Sequence, residues 1–229
     1  MTELDKSILS TIIYFDLLGY PLTVTEIWRW LWKPGRLVSL PEVEQVLAQS
    51  QVLQQRLNVA EAFYSLRGRE SLIPERKQAN LRADLQMRHL RSLIGWFRWL
   101  PSLRAVFISS SIARGNVHPE GDIDLVILAK RQHLWLIRFI IVTVLKFSDK
   151  RPRPGKTRDS LCLSLYIADT TLNLKSLRLD HDDLVFYYYV EGFVPIIDPD
   201  NYYQKMLQAN QWVYEALPNA NWAKATIAL

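Results

Sequence analysis

The chain has 229 residues, 49% of them hydrophobic, with one cysteine and a net charge of +5. That length and apolar content suit one large domain or two small ones with a real core, and they exclude wholesale disorder. The lone Cys162 excludes a disulfide framework and a thiolate zinc site. Residues 4–18 read as an amphipathic helix, with Leu4, Ile8, Ile12 and Phe15 at three- and four-residue steps. Its opening residues Glu3, Asp5 and Lys6 are not a basic-then-apolar leader, and with one cysteine they fit a reducing, cytoplasmic setting. Gly19, Tyr20 and Pro21 break this helix. Thr23 or Thr25 caps a second helix carrying Ile27, Trp30 and Leu31, which Lys33-Pro34-Gly35 ends. A third runs from near Pro41 to Ser50 and buries Val43, Val46 and Leu47. Residues 51–66 read as extended.

Residues 70–100 read as one long helix with apolar positions at Leu81, Leu85, Leu90, Leu93 and Phe97, ended by Pro101. Strands follow at Arg104–Ser109 and Ile123–Leu128, the second entered through a turn at Pro119–Gly121. Leu134–Phe147 is a helix of about 14 residues interrupted by Arg138, short of the roughly 20 apolar residues that a bilayer span needs, so no membrane insertion is expected. Lys150–Thr157 is a basic, proline-rich loop, and Leu161–Ile167 is a third strand. Asp182–Val190 and Tyr202–Leu217 read as helices around a loop at Pro195–Asp200. Tyr187, Tyr188 and Tyr189 cannot all face one way on the first of these; packing is their ordinary role and base stacking the alternative. The basic excess is local. Residues 101–160 carry eleven basic and five acidic groups, against seven and seven in residues 1–69. A positive field there attracts phosphates.

Val106–Lys130 carries the chemistry. An apolar strand ends in Ser109, Ser110 and Ser111, small residues that let a backbone approach phosphate. Ile112–Arg114 starts a short helix whose amides can bind anions, and Gly115 allows an unusual backbone angle as it closes. Asp122 and Asp124 then lie two residues apart at a strand mouth, so both side chains leave on one face. Two such carboxylates suit a hard divalent cation with phosphate oxygens. The plain alternative is an ordinary strand entrance with exposed acids.

These residues resemble the DNA polymerase β-like nucleotidyltransferase superfamily, whose motif is a Gly-Ser pair at a strand end and Asp-x-Asp on the next strand. Ser110-Ser111 stands at the Gly-Ser position, with Ser110 replacing the glycine; Asp122 and Asp124 stand at the metal-binding pair. The runs SIARGN and GDIDLVI, with YFDLLGYPLT, LRGRE and LCLSLYI, look like prokaryotic members that join a winged-helix-like segment to this domain. Three short helices and a hairpin at the N-terminus resemble such a winged helix.

The resemblance implies an α+β protein with a mixed sheet. Residues 1–69 would form the winged-helix-like unit, 70–100 a connecting helix, and 101–229 the nucleotidyltransferase domain with C-terminal helices. It implies nucleotidyl transfer from a nucleoside triphosphate, ATP by expectation, to a protein, small molecule or RNA. Asp122 and Asp124 would hold Mg²⁺ or Mn²⁺, Ser110 and Ser111 the β- and γ-phosphates, with Arg114, Gly115 or the 150–158 loop beside them. Active members use a third carboxylate on a neighbouring strand. Here the face expected to carry it holds Cys162, Ser164 and Tyr166, leaving Asp159 as the candidate. Two alternatives stand: a catalytically degenerate nucleotide-binding regulator, and a winged-helix DNA-binding regulator, weakly supported by the even charge of residues 1–69.

Overall fold

The computed structural model describes residues 1–152, 160–180 and 182–220, with Ser110 described by its backbone alone. The protein is mixed α+β and divides into two compact units. Among the described residues, the first comprises Met1–Gln78 and Trp212–Ala220, and the second lies within Ala79–Gln211.

In the first unit, α1 (Glu3–Leu17) is followed by β1 (Leu22–Thr23), α2 (Val24–Arg29), α3 (Leu40–Gln49), α4 (Gln51–Arg56), β2 (Leu57–Ala60) and β3 (Phe63–Leu66). The sheet order is β1-β3-β2, all antiparallel. Local chemistry sets the helix starts. Thr2 with Asp5, Thr23 with Glu26 and Ser39 with Glu42 each close a reciprocal capping box at α1, α2 and α3. Thr23, not Thr25, is therefore the cap of α2. Ile8, Ile12, Phe15, Ile27 and Val43 are fully or almost fully buried, and the Phe15 and Trp30 rings stack with centroids 4.8 Å apart.

Residues 51–56 form α4 rather than the extended chain expected. Ser50 caps the Leu53 amide, and Leu53 is buried at 1% exposure. A mostly polar turn of helix carries too little apolar periodicity to reveal itself.

The unit boundary falls inside α5 (Leu72–Leu93), which a 3₁₀ turn at Gly95–Trp99 continues. Its buried stripe runs through Ile73, Arg76, Ala79, Ala83, Gln86 and Leu90, while Leu81 and Leu85 are 68% and 65% exposed. The leucine-based face expected for this helix is thus wrong over its first half; tertiary packing selects the small and polar stripe.

The second unit continues with β4 (Leu103–Ile108), α6 (Ser110–Ala113), β5 (Ile123–Ala129), α7 (Leu134–Phe147), β6 (Leu161–Ala168), α8 (Leu184–Glu191), β7 (Val194–Ile197) and α9 (Tyr202–Ala209). The mixed sheet has the order β6-β5-β4-β7, with β5 and β6 parallel and the other pairs antiparallel. Strand alternation sorts its two faces. Val106, Ile108, Ile123, Leu125 and Ile127 pack with Leu90 and Phe97 and with Ile137, Ile141 and Leu145 of α7. Phe107 points the other way, against Phe193 and Tyr203. No described helix is long and apolar enough to cross a membrane.

The loop expected from Pro195 begins instead as β7, whose residues Val194–Ile197 pair with β4 at the sheet edge. Proline is tolerated on such an edge. The single helix expected over Tyr202–Leu217 is two, α9 and α10 (Trp212–Ala216), separated at Asn210. The described residues Trp212–Ala220 belong to the first unit, not to the second as the expected boundaries had it. Asn219 explains this. Fully buried, it accepts from the Val38 amide at 3.1 Å and donates to the Trp28 carbonyl at 2.8 Å.

Candidate functional site

β4 delivers the chain into the serine run, and α6 is a four-residue turn of helix. It closes as expected: Gly115 takes φ +73°, and the amides of Arg114 and Asn116 both donate to the Ser111 carbonyl. A turn at His118–Gly121 then leads to Asp122.

Two backbone bonds fix the strand mouth. The Ser109 amide donates to the Asp124 carbonyl at 3.2 Å, and the Ile123 amide donates to the Ser160 carbonyl at 2.8 Å. Asp122 and Asp124 come together as expected, both half-buried, and the group they form includes Cys162. One ligand atom from each of the three lies within 4.8 Å of the others. Cys162 is the register partner of Asp124 across the parallel β5–β6 pair. Burial pushes its thiol up to about 11, with the neighbouring Asp124 and Asp122 charges adding to the rise and Arg151 opposing it. At neutral pH the third position therefore holds a neutral thiol beside two carboxylates. Asp159, the expected third acid, lies outside the described residues.

The expected face of Cys162, Ser164 and Tyr166 is broken. The β5–β6 register shifts between Leu125 and Val126, so Leu165 pairs with Val126 and Tyr166 with Ile127. Tyr166 thereby joins Leu163 against the α7-side core, opposite to Cys162. Ser164, at the bulge, donates to the Leu125 carbonyl at 3.1 Å. Bulges commonly re-aim side chains beside active sites.

The serine that faces the acids is Ser109. Strand parity puts it on the side of Phe107 and Asp124, it is fully buried, and its hydroxyl has no hydrogen-bond partner among the described residues. Ser111 is half-buried in α6; the side chain of Ser110 lies outside the described residues. Tyr189 closes this side of the site. Its hydroxyl sits 3.2 Å from Ser164 Oγ and alongside Ser109 without a closed hydrogen bond. Burial raises its phenol, and the Ser164 and Ser109 hydroxyls oppose the rise. Tyr187 and Tyr188, by contrast, are packed in the interior.

The partners of Arg114 include residues of α8. Its guanidinium donates to the Tyr188 carbonyl and pairs with the buried Glu191 at 3.9 Å. Gly192 leaves room for it: a Cβ there would lie 2.8 Å from Arg114 Nη2. Among the described residues, Arg151 carries a charge that reaches the site and opposes the rise of the Cys162 thiol. It belongs to the basic loop singled out in the sequence; Arg153, Lys156 and Arg158 lie outside the described residues.

Alternation along β4 was enough to single out Ser109, since Phe107 and Ser109 share a face. Nothing local to the tyrosine run singled out Tyr189. No family model, curated protein or solved structure matches the chain.

Proposed function

We propose that the protein is a metal-dependent nucleotidyltransferase, moving a nucleotidyl group from a nucleoside triphosphate to an acceptor hydroxyl on a protein, a small molecule or RNA. The observation that carries this reading is the convergence of Asp122 and Asp124 on one sheet face beside the buried, unsatisfied Ser109 hydroxyl. Two half-buried carboxylates are a donor set that fits Mg²⁺ or Mn²⁺. Such an ion, when bound, neutralises the charge that develops on the transferring phosphate. Asp122 and Asp124 hold it. Ser109 and Ser111 offer hydroxyls to phosphate oxygens, and Arg151 adds positive charge near Cys162. The α+β make-up of the chain, with a mixed four-stranded sheet carrying the carboxylate pair, supports the reading. A labelled-ATP transfer assay with candidate acceptors tests it: label transfer that depends on a divalent cation and on Asp122 is the expected result.

A second reading, nucleotide binding without transfer, is favoured by Cys162. A thiol whose pKa lies at about 11 does not take a proton from an acceptor hydroxyl at neutral pH. Nucleotide binding with no label transfer would select this second reading.

A further inference from the structure

We infer that Cys162 completes the Asp122–Asp124 pair as a mixed carboxylate–thiolate site that selects a zinc-class, sulfur-accepting divalent cation over Mg²⁺. The inference rests on the metal-site reading proposed above and names the ion that this chain's own residues prefer.

One sulfur cannot build a cysteine-only zinc site, but one sulfur beside two carboxylates is a different donor set. Zinc sites that bind a substrate or water use three protein ligands and an open fourth position, with cysteine, histidine and carboxylate all serving. Bond lengths to sulfur of about 2.3 Å and to oxygen of about 2.1 Å place tetrahedral ligand atoms roughly 3.6 Å apart. The three atoms here already lie within 4.8 Å of one another, on neighbouring strands whose register makes Cys162 the partner of Asp124. The remaining approach is of the order that side-chain rotation covers. Mg²⁺ takes oxygen donors, whereas thiolate donors favour zinc and its congeners.

A second observation points to a ligand at this place. Ser109 is fully buried on the face of Asp124, and its hydroxyl, beside that of Tyr189, closes no hydrogen bond among the described residues. An oxygen carried by a bound ion would satisfy it. On binding, the Cys162 S–H bond breaks and a sulfur–metal bond forms from the sulfur lone pair. The proton leaves to solvent, and nothing is oxidised or reduced.

The test uses the full chain without nucleotide, titrated separately with Cd²⁺ and with Mg²⁺ by calorimetry and near-ultraviolet absorbance. Because Cys162 is the only cysteine, a sulfur-to-cadmium charge-transfer band reports this residue alone. Cd²⁺ is expected to bind one to one, at least about 100-fold tighter than Mg²⁺, with that band. Cys162→Ser should abolish the band and cut the Cd²⁺-to-Mg²⁺ affinity ratio at least about tenfold. Asp122→Asn should weaken Cd²⁺ as well. Equal affinities for the two ions overturn the inference, as does an undiminished band in Asp122→Asn, which would show the thiol acting alone. In either case, Mg²⁺-dependent ATP binding that needs Asp122 would leave the broader reading standing. Its absence would remove both.

Discussion

Asp124 and Cys162 are register partners across the parallel pair of β5 and β6, and their ligand atoms, with one from Asp122, lie within 4.8 Å of one another. A neutral thiol thus stands where the resemblance expects a carboxylate. On the proposed reading such a site would gather a cation and phosphate yet lack a carboxylate base for the acceptor.

Cys162→Asp supplies the missing acid at the same register position. It should raise Mg²⁺-dependent label transfer at least about tenfold over the unaltered chain, because a positioned base contributes that much or more. Measured transfer that stays flat while ATP affinity holds would favour binding without catalysis.

Arg76 anchors the first unit. It is 4% exposed, donates to the Tyr20 hydroxyl, lies over the Tyr20 ring with its centre 3.9 Å from the centroid, and pairs with Glu26 at 2.9 Å. Removing one partner of a buried pair leaves the other uncompensated, so Arg76→Leu should lower stability by about 3 kcal/mol. Urea denaturation followed by fluorescence reads this, and an unchanged midpoint would contradict it.

Glu42 gives the first unit an acid-sensitive cap. Its hydrogen bond to Arg36, and then those from the Ser39 amide and hydroxyl, hold its carboxyl at about 2 against the ordinary 4.5. The folded value is depressed. The contribution to stability is therefore complete above about pH 4.5 and fades as pH falls toward 2. A carboxyl titration by NMR should find the midpoint near 2, and Glu42→Gln should lack this part of the acid sensitivity. The group is exposed, so the effect should shrink in high salt.

Asn219 ties the C-terminal segment into the first unit through Val38 and Trp28, and the Lys33 amide donates to the Ala216 carbonyl at 2.8 Å. Asn219→Ala strips partners from buried backbone groups and should lower stability by about 2 kcal/mol. A chemical denaturation curve indistinguishable from that of the unaltered protein would refute the role.

Local signals were legible in the sequence wherever a short segment determines its own structure. Thr23, one of the two threonines read as the cap of α2, is that cap, α7 was bounded at Leu134 and Phe147 by its apolar run, and Gly115 marked the close of α6, whereas the Ser39 cap of α3 went unread. The Asp122-Ile123-Asp124 alternation announced paired carboxylates. Features that depend on distant partners were not legible. β7 is a strand only because β4 offers an edge, and α4 forms on the strength of one cap and one buried leucine. The bulge at Ser164 reverses Tyr166, and nothing in LCLSLYI encodes that slip. Arg114 was a plausible phosphate ligand by position in the motif, yet Glu191 and the Tyr188 carbonyl, more than seventy residues on, claim its charge.

Calorimetric titration of ATP in the presence and absence of Mg²⁺ or Mn²⁺, with the unaltered chain and with Asp122→Asn and Asp124→Asn, bears most directly on the carboxylate pair. ATP should bind only with a divalent cation, and each variant should lose at least about 100-fold in affinity at an unchanged melting temperature. Full affinity retained in either folded variant would contradict the assignment of the site.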